Sequence, residues 1–98
     1  MYAADNIFLG RQKSEANKKK HHISFEEAQT VFFDENALEF FDPDHSQTEE
    51  RFLMLGISYR LRILVVCHCF RKTNSEIRII AARKATKKEQ NVYYGGKQ

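Results

Sequence analysis

A chain of 98 residues with a formal net charge of +3, 42 % apolar and 30 % charged, has material for one domain around a single small core. That balance excludes a wholly disordered chain, and the longest apolar run, Leu61 to Phe70, is far too short to span a bilayer. The sequence therefore reads as one domain over residues 1–98, with an unassigned start at 1–12 and a flexible tail at 95–98.

The start offers only a brief apolar patch, Ile7 to Leu9, followed by Gly10. Residues Gln12 to His21 are rich in helix formers without an apolar stripe, which predicts a solvated helix. A second helix begins after Ser24, because Glu27 three residues on completes a capping box and Ile23 can staple against Ala28. Phe25, Ala28 and Phe32 recur at helical spacing, and Asp34-Glu35-Asn36 ends the run. Ala37 to Phe41 reads as a short strand stopped by Pro43 and the turn-rich "DPDHSQ". Arg51 to Ile57, Leu61 to Phe70 and Ile77 to Arg83 follow as three further strands of an antiparallel meander. Thr86 with Glu89 repeats the capping device, so a last helix is predicted from Lys87 to about Tyr94, stopped by Gly95-Gly96. The expected fold is α+β: a small antiparallel four-stranded sheet with two N-terminal helices and one C-terminal helix.

Charge is unevenly placed. Asp34, Glu35, Glu39, Asp42, Asp44, Glu49 and Glu50 occur with no Lys or Arg among them, whereas from Arg60 to Lys88 nine basic residues face only Glu76. A second basic run, Lys18 to His22, lies upstream. Basic regions on either side of an acidic one suggest an anionic partner on one side of the fold. Lys84, Lys87 and Lys88 sit at or before the first turn of the last helix, where the dipole disfavours cations. They fit either a phosphate held by that helix start with Arg83 and Lys84, or a solvated face that keeps the protein soluble. Strand alternation places Arg78, Ile80 and Ala82 on one face and Ile77, Ile79, Ala81 and Arg83 on the other.

His68 shares a strand face with Leu64, Val66 and Phe70, so it is either a proton-transfer group or a satisfied core residue. Cys67 and Cys69 flank it on the alternate face, too far apart in an extended chain to bridge to each other. No second Cys pair completes a tetrahedral metal site, and His21, His22 and His45 lack ligand spacing, so no metal and no cofactor are expected. With no signal peptide, the chain reads as cytosolic with reduced thiols and no membrane partner. No phosphate-binding glycine loop, nucleophile elbow or zinc-protease helix occurs. RNA cleavage needs a group to take the 2′-hydroxyl proton, a positive group for the crowded phosphate and an acid for the leaving oxygen. Glu89 or His68, the arginines and Tyr93 are residues of suitable type.

The ordered series "SFEEA", "DPDHS", "EERF", "ILVVCH" and "IRIIAARKAT" resembles the BrnT family of bacterial toxins over about Lys13 to Tyr94. The resemblance implies a RelE-like fold, ribonuclease activity that arrests translation, and neutralisation by a DNA-binding ribbon-helix-helix antitoxin of the BrnA kind, in a heterotetramer. It also implies the site. Arg78, Arg83, Glu89, Tyr93 and His68 stand at the positions taken as catalytic, and Lys20, His21 and Arg51 at positions taken as RNA- or phosphate-binding, to which Lys84 and Lys87 are added for their charge at the start of the last helix. Lys20 and His21 match the family's "KHG", with His22 in place of its glycine. Ala81 replaces a serine before "ARKA", and "IFLGRQK" replaces the family's opening strand "FEWD" and its "PxK". The alternative reading is a protein of the same fold that binds RNA or a partner without cleaving; an acidic-protein-binding domain ranks third.

Overall fold

The computed structural model describes residues 7–43, 49–71 and 76–95. His45, Lys72, Gly96, most of the "DPDHSQ" run and the tail beyond Gly95 lie outside the described residues. The elements are β1 (Ile7–Phe8), α1 (Arg11–His21), α2 (Phe25–Gln29) continued by a 3-10 turn over Thr30–Phe33, β2 (Leu38–Asp42), β3 (Arg51–Ile57), β4 (Ile63–Arg71), β5 (Glu76–Lys84) and α3 (Lys87–Tyr93). The fold is α+β, but the sheet is five-stranded and mixed rather than four-stranded and antiparallel. Its order is β1-β5-β4-β3-β2, and β1 runs parallel to β5 with Ile7 opposite Ile77 and Phe8 opposite Arg78. Two residues are too few to display a strand period, so this edge carries no readable signal.

α1 departs from the expected solvated helix, since Ser14 and Asn17, three apart, are buried. The Asn17 amide donates to the Ala82 carbonyl at 2.9 Å and to that of Ile23 at 2.8 Å, and it accepts from the Ala82 N–H at 3.0 Å. One side chain thus supplies β5 with the edge partner that β1 is too short to give, satisfying backbone groups that would otherwise be buried unpaired. Ser14 Oγ accepts from the Phe25 N–H at 3.1 Å, tying α1 to the start of α2. α1 ends at His22 in the left-handed conformation, with φ 62°, donating its N–H to the Lys18 carbonyl. That is the usual geometry of a helix-ending glycine, which explains the glycine at the matching place in "KHG".

The expected capping box of α2 is half formed. Ser24 accepts from the Glu27 N–H at 3.0 Å, but the Glu27 carboxylate, 2 % exposed, turns inward to Arg62 Nε at 2.9 Å, to Arg62 Nη2 and to Ser58 Oγ at 2.7 Å. Burial alone would raise this carboxyl, and the hydrogen bonds from Arg62 and Ser58 outweigh it, holding the group below the usual range. The pair fastens α2 to the β3–β4 turn. Between helices and sheet lies the main core, built on Ile23, Phe25, Ala28, Phe32, Leu64, Val66, Ile77 and Ile79.

A register shift between Cys67 and His68 fixes which β5 side chains face away from that core. Val65, Cys67 and Cys69 alternate along β4, and opposite them stand Arg83, Ala81 and Arg78. The residue counts differ across the pair, so β5 carries a bulge that absorbs one residue and reverses its alternation. Ile77, Ile79 and Ala82 are buried on the core face, and Arg78 and Arg83 share the other. The expectation that the two arginines lie on opposite faces is corrected: a strict period of two holds only in an unbulged strand.

Candidate functional site

The sheet face turned away from α1 and α2 is the candidate site. Across it, Arg51, Cys69 and Arg78 form one row, Leu53, Cys67 and Ala81 a second, and Leu55, Val65 and Arg83 a third. Four residues of strand lie between Arg78 and Arg83, five steps or about 15 Å at the usual rise, too far for both to hold one phosphate. Glu49 Oε1 lies 3.8 Å from Arg51 Nη2 and 3.9 Å from Arg78 Nη1. At those distances it is a charge neighbour of Arg51 Nη2 and Arg78 Nη1 rather than an acceptor of hydrogen bonds from them.

α3 covers one end of this face. Its start is a complete capping box: Thr86 Oγ1 accepts from the Glu89 N–H at 3.1 Å, and Glu89 Oε1 accepts from the Thr86 N–H at 2.8 Å. These bonds occupy amides that a phosphate at the helix start would have used. The same carboxylate takes both ends of the Arg83 fork, at 2.8 and 2.9 Å. The Arg83 hydrogen bond, with help from Thr86, pulls the Glu89 carboxyl down to about 2, and Arg83 in turn is held above its ordinary value. A carboxylate so weakly basic makes a poor proton acceptor at neutral pH. Its geometry is that of a group that aims Arg83.

Tyr93 packs against Leu55, Val65 and Ala85, and its hydroxyl donates to Asp34 Oδ2 at 2.7 Å. Asp34 also accepts from the N–H groups of Ile57 and Asn36, each at 2.9 Å. Burial, then the Asp34 contact, pushes the Tyr93 phenol up to about 12. Burial opposes ionisation of Asp34, but the three donors, Tyr93 foremost, leave its carboxyl below the usual range. Gly56 is required beside this anchor: a Cβ there would lie 2.8 Å from Val31 Cγ1 and 3.1 Å from Asp34 Oδ2.

His21, at the end of α1, lines a hollow of about 210 Å³ with Leu53, Val65, Cys67, Ala81, Ala82 and Arg83. Lys20 borders an adjoining hollow of about 230 Å³ that also contains Lys13 and His21. Arg51, Arg78, Arg83, Glu89, Tyr93, His21 and Lys20 are thereby gathered on or beside one face. His68 is not among them. It is fully buried on the core face, edge-on to Phe32 and Phe70, with Nδ1 3.1 Å from the Val66 carbonyl and Nε2 3.0 Å from Glu39 Oε2. Lys84 lies on the core-side parity of β5, opposite Leu64, and Lys87 is an exposed first residue of α3. Sequence reasoning missed Asp34, seen only as a helix stop, and Asn17, which had no apolar period to mark it. Among the described residues no cluster of His, Cys, Asp or Glu has the arrangement to hold a metal ion, and no helix is long and apolar enough to cross a membrane.

Arg51, Arg78 and Arg83 on one sheet face, with His21 beside them, are side chains suited to an anionic ligand. The family comparison gives the class directly, as residues 10–89 match the family described as "Ribonuclease toxin, BrnT, of type II toxin-antitoxin system". The chain belongs to the BrnT family, and an antitoxin partner follows from the type II designation. No curated protein matches the chain. The matched segment contains Arg78, Arg83 and Glu89, and stops short of Tyr93.

Proposed function

We propose that this chain is an endoribonuclease of the RelE-like kind that arrests translation, and that RNA lies across the open sheet face. The observation that carries the proposal is the bulge in β5, which brings Arg83 onto the same face as Arg78 and Arg51. Arg83, aimed by Glu89, stabilises charge on the scissile phosphate, while Arg78 and Arg51 hold a neighbouring phosphate further along. His21 is the proton-transfer group at this end, an imidazole on the wall shared with Arg83. A base takes the 2′-hydroxyl proton, the 2′-oxygen attacks phosphorus, and the 5′-oxygen leaves with a proton, giving a 2′,3′-cyclic phosphate and a 5′-hydroxyl. His68 has a packing role in this reading. Lys20, Lys84 and Lys87 add to the field that draws RNA in.

The antitoxin, in this reading a DNA-binding ribbon-helix-helix protein, covers Arg78 to Lys88, and two copies of each chain assemble together. The test is cleavage of defined RNA by pure protein. Arg83→Ala should lower the rate at least ~100-fold, the effect of removing one preorganised donor to a developing anion. Arg78→Ala should act mainly through RNA affinity. Full activity in both variants would leave the enzyme without its phosphate contacts and overturn the proposal. Because Arg83 is already paired with Glu89, binding without cleavage is the competing reading, and it is the result if RNA is retained by the protein but never shortened.

A further inference from the structure

We infer that the hollow between Leu53, Val65, Cys67, Ala81 and the His21 and Arg83 side chains is a nucleobase subsite. The inference rests on the ribonuclease reading for the source of its ligand but is testable apart from it. The hollow, about 210 Å³, is small, on the scale of a single heterocycle rather than a drug-sized ligand. Its lining is mostly apolar, from Leu53, Val65, Ala81, Ala82 and Cys67, and His21 and Arg83 complete it. An apolar seat with an imidazole in its lining suits an unstacked RNA base, since bases are recognised by apolar contact and by stacking on planar side chains such as His.

Placement argues for a base rather than an unrelated apolar ligand. The adjoining hollow, about 230 Å³, shares His21 and Ala81 with the first and is bordered by Lys13 and Lys20. A base seated in the apolar hollow therefore has Arg83 in its own lining and Lys13 and Lys20 in the adjoining one, cationic positions for neighbouring phosphates. The alternation of cation, apolar seat and cation follows the repeat of a single-stranded chain. Ala81 makes the seat possible. It stands directly opposite Cys67 on the neighbouring strand, and a longer side chain there fills the floor. Few polar groups line the hollow, so it discriminates by ring size and stacking more than by hydrogen-bond pattern.

The experiment titrates the full chain with the four ribonucleoside 5′-monophosphates and with ribose 5-phosphate, following backbone amide resonances. At least one nucleotide should bind about tenfold more tightly than the sugar phosphate, the increment expected from stacking one base, and should move the Cys67 and Ala81 signals. Ala81→Leu should bring nucleotide affinity down to that of ribose 5-phosphate and leave the latter unchanged. Should that variant fail to fold, the wild type still decides. A nucleotide should protect Cys67, which is partly exposed, from maleimide, whereas ribose 5-phosphate should not; Cys69, fully buried, is the internal control. Equal binding of nucleotides and ribose 5-phosphate, equal protection by both, or unchanged nucleotide affinity in a folded Ala81→Leu variant overturns the subsite. RNA cleavage measured in parallel separates the two ideas: cleavage without base-dependent binding refutes the subsite alone, and base-dependent binding without cleavage refutes the ribonuclease alone.

Discussion

Glu89 joins two roles in one carboxylate, because it closes the helix cap at Thr86 and holds the fork of Arg83. Glu89→Gln keeps a capping side chain but removes the charge. If Glu89 aims Arg83, its RNA cleavage should fall less than about tenfold; a loss beyond about a hundredfold would make Glu89 the general base instead. The same residue sets an acid limit on stability. Its folded carboxyl lies near about 2, below the ordinary 4.5, so its contribution is complete above about pH 4.5 and is lost as pH falls toward 2. Tyr93 sets the opposite limit. Its phenol is raised from 10.0 to about 12, so its contribution is complete below about pH 10 and is lost as pH rises through 12. Melting curves should show Glu89→Gln erasing part of the acid dependence and Tyr93→Phe part of the alkaline dependence. The Thr86–Glu89 cap was evident in the sequence, but nothing there tied Arg83 to Glu89, or Asp34 to a tyrosine 59 residues away.

At the level of elements, the local chemistry was legible wherever it was self-contained. β3 runs over the expected Arg51 to Ile57, and α3 over Lys87–Tyr93, because alternation and a capping box are written within a few residues. What depended on distant partners was not legible. β1 is two residues long and exists because β5 offers an edge; the bulge that turns Arg83 toward Arg78 is a property of the β4–β5 pairing, not of either strand alone. Two substitutions test the helix ends by thermal or denaturant unfolding. His22→Gly should stabilise the protein by about 1 kcal/mol, since glycine adopts the left-handed conformation without the steric penalty of a Cβ. Thr86→Ala should destabilise it by roughly 1 kcal/mol through the lost cap, and because α3 carries Glu89, it should also lower RNA cleavage. An unchanged midpoint in His22→Gly would mean that the imidazole makes a compensating contact.

Over the whole molecule, charge divides by region: acidic residues gather from Asp34 to Glu50 and basic ones at Lys18 to Lys20 and on β5 and α3. For an antitoxin that masks the arginine-bearing face, amide exchange should slow at Arg78, Ala81 and Arg83 in the complex and leave the α2 side unaffected. Protection confined to α2 would place the antitoxin elsewhere. The net charge and the two basic regions were readable from the sequence; that they converge depends on α1 lying along β5, held by Asn17. That arrangement also sets a schedule. Synthesis releases the N-terminal residues first, yet β1 and α1 find their partners at Ile77, Arg78 and Ala82, more than sixty positions later. Until β5 has left the ribosome there is no sheet edge for Asn17 to grip, and His21 has no Arg83 beside it. On the ribonuclease reading proposed above, the face that would meet RNA is therefore assembled only after β5 and α3 have emerged.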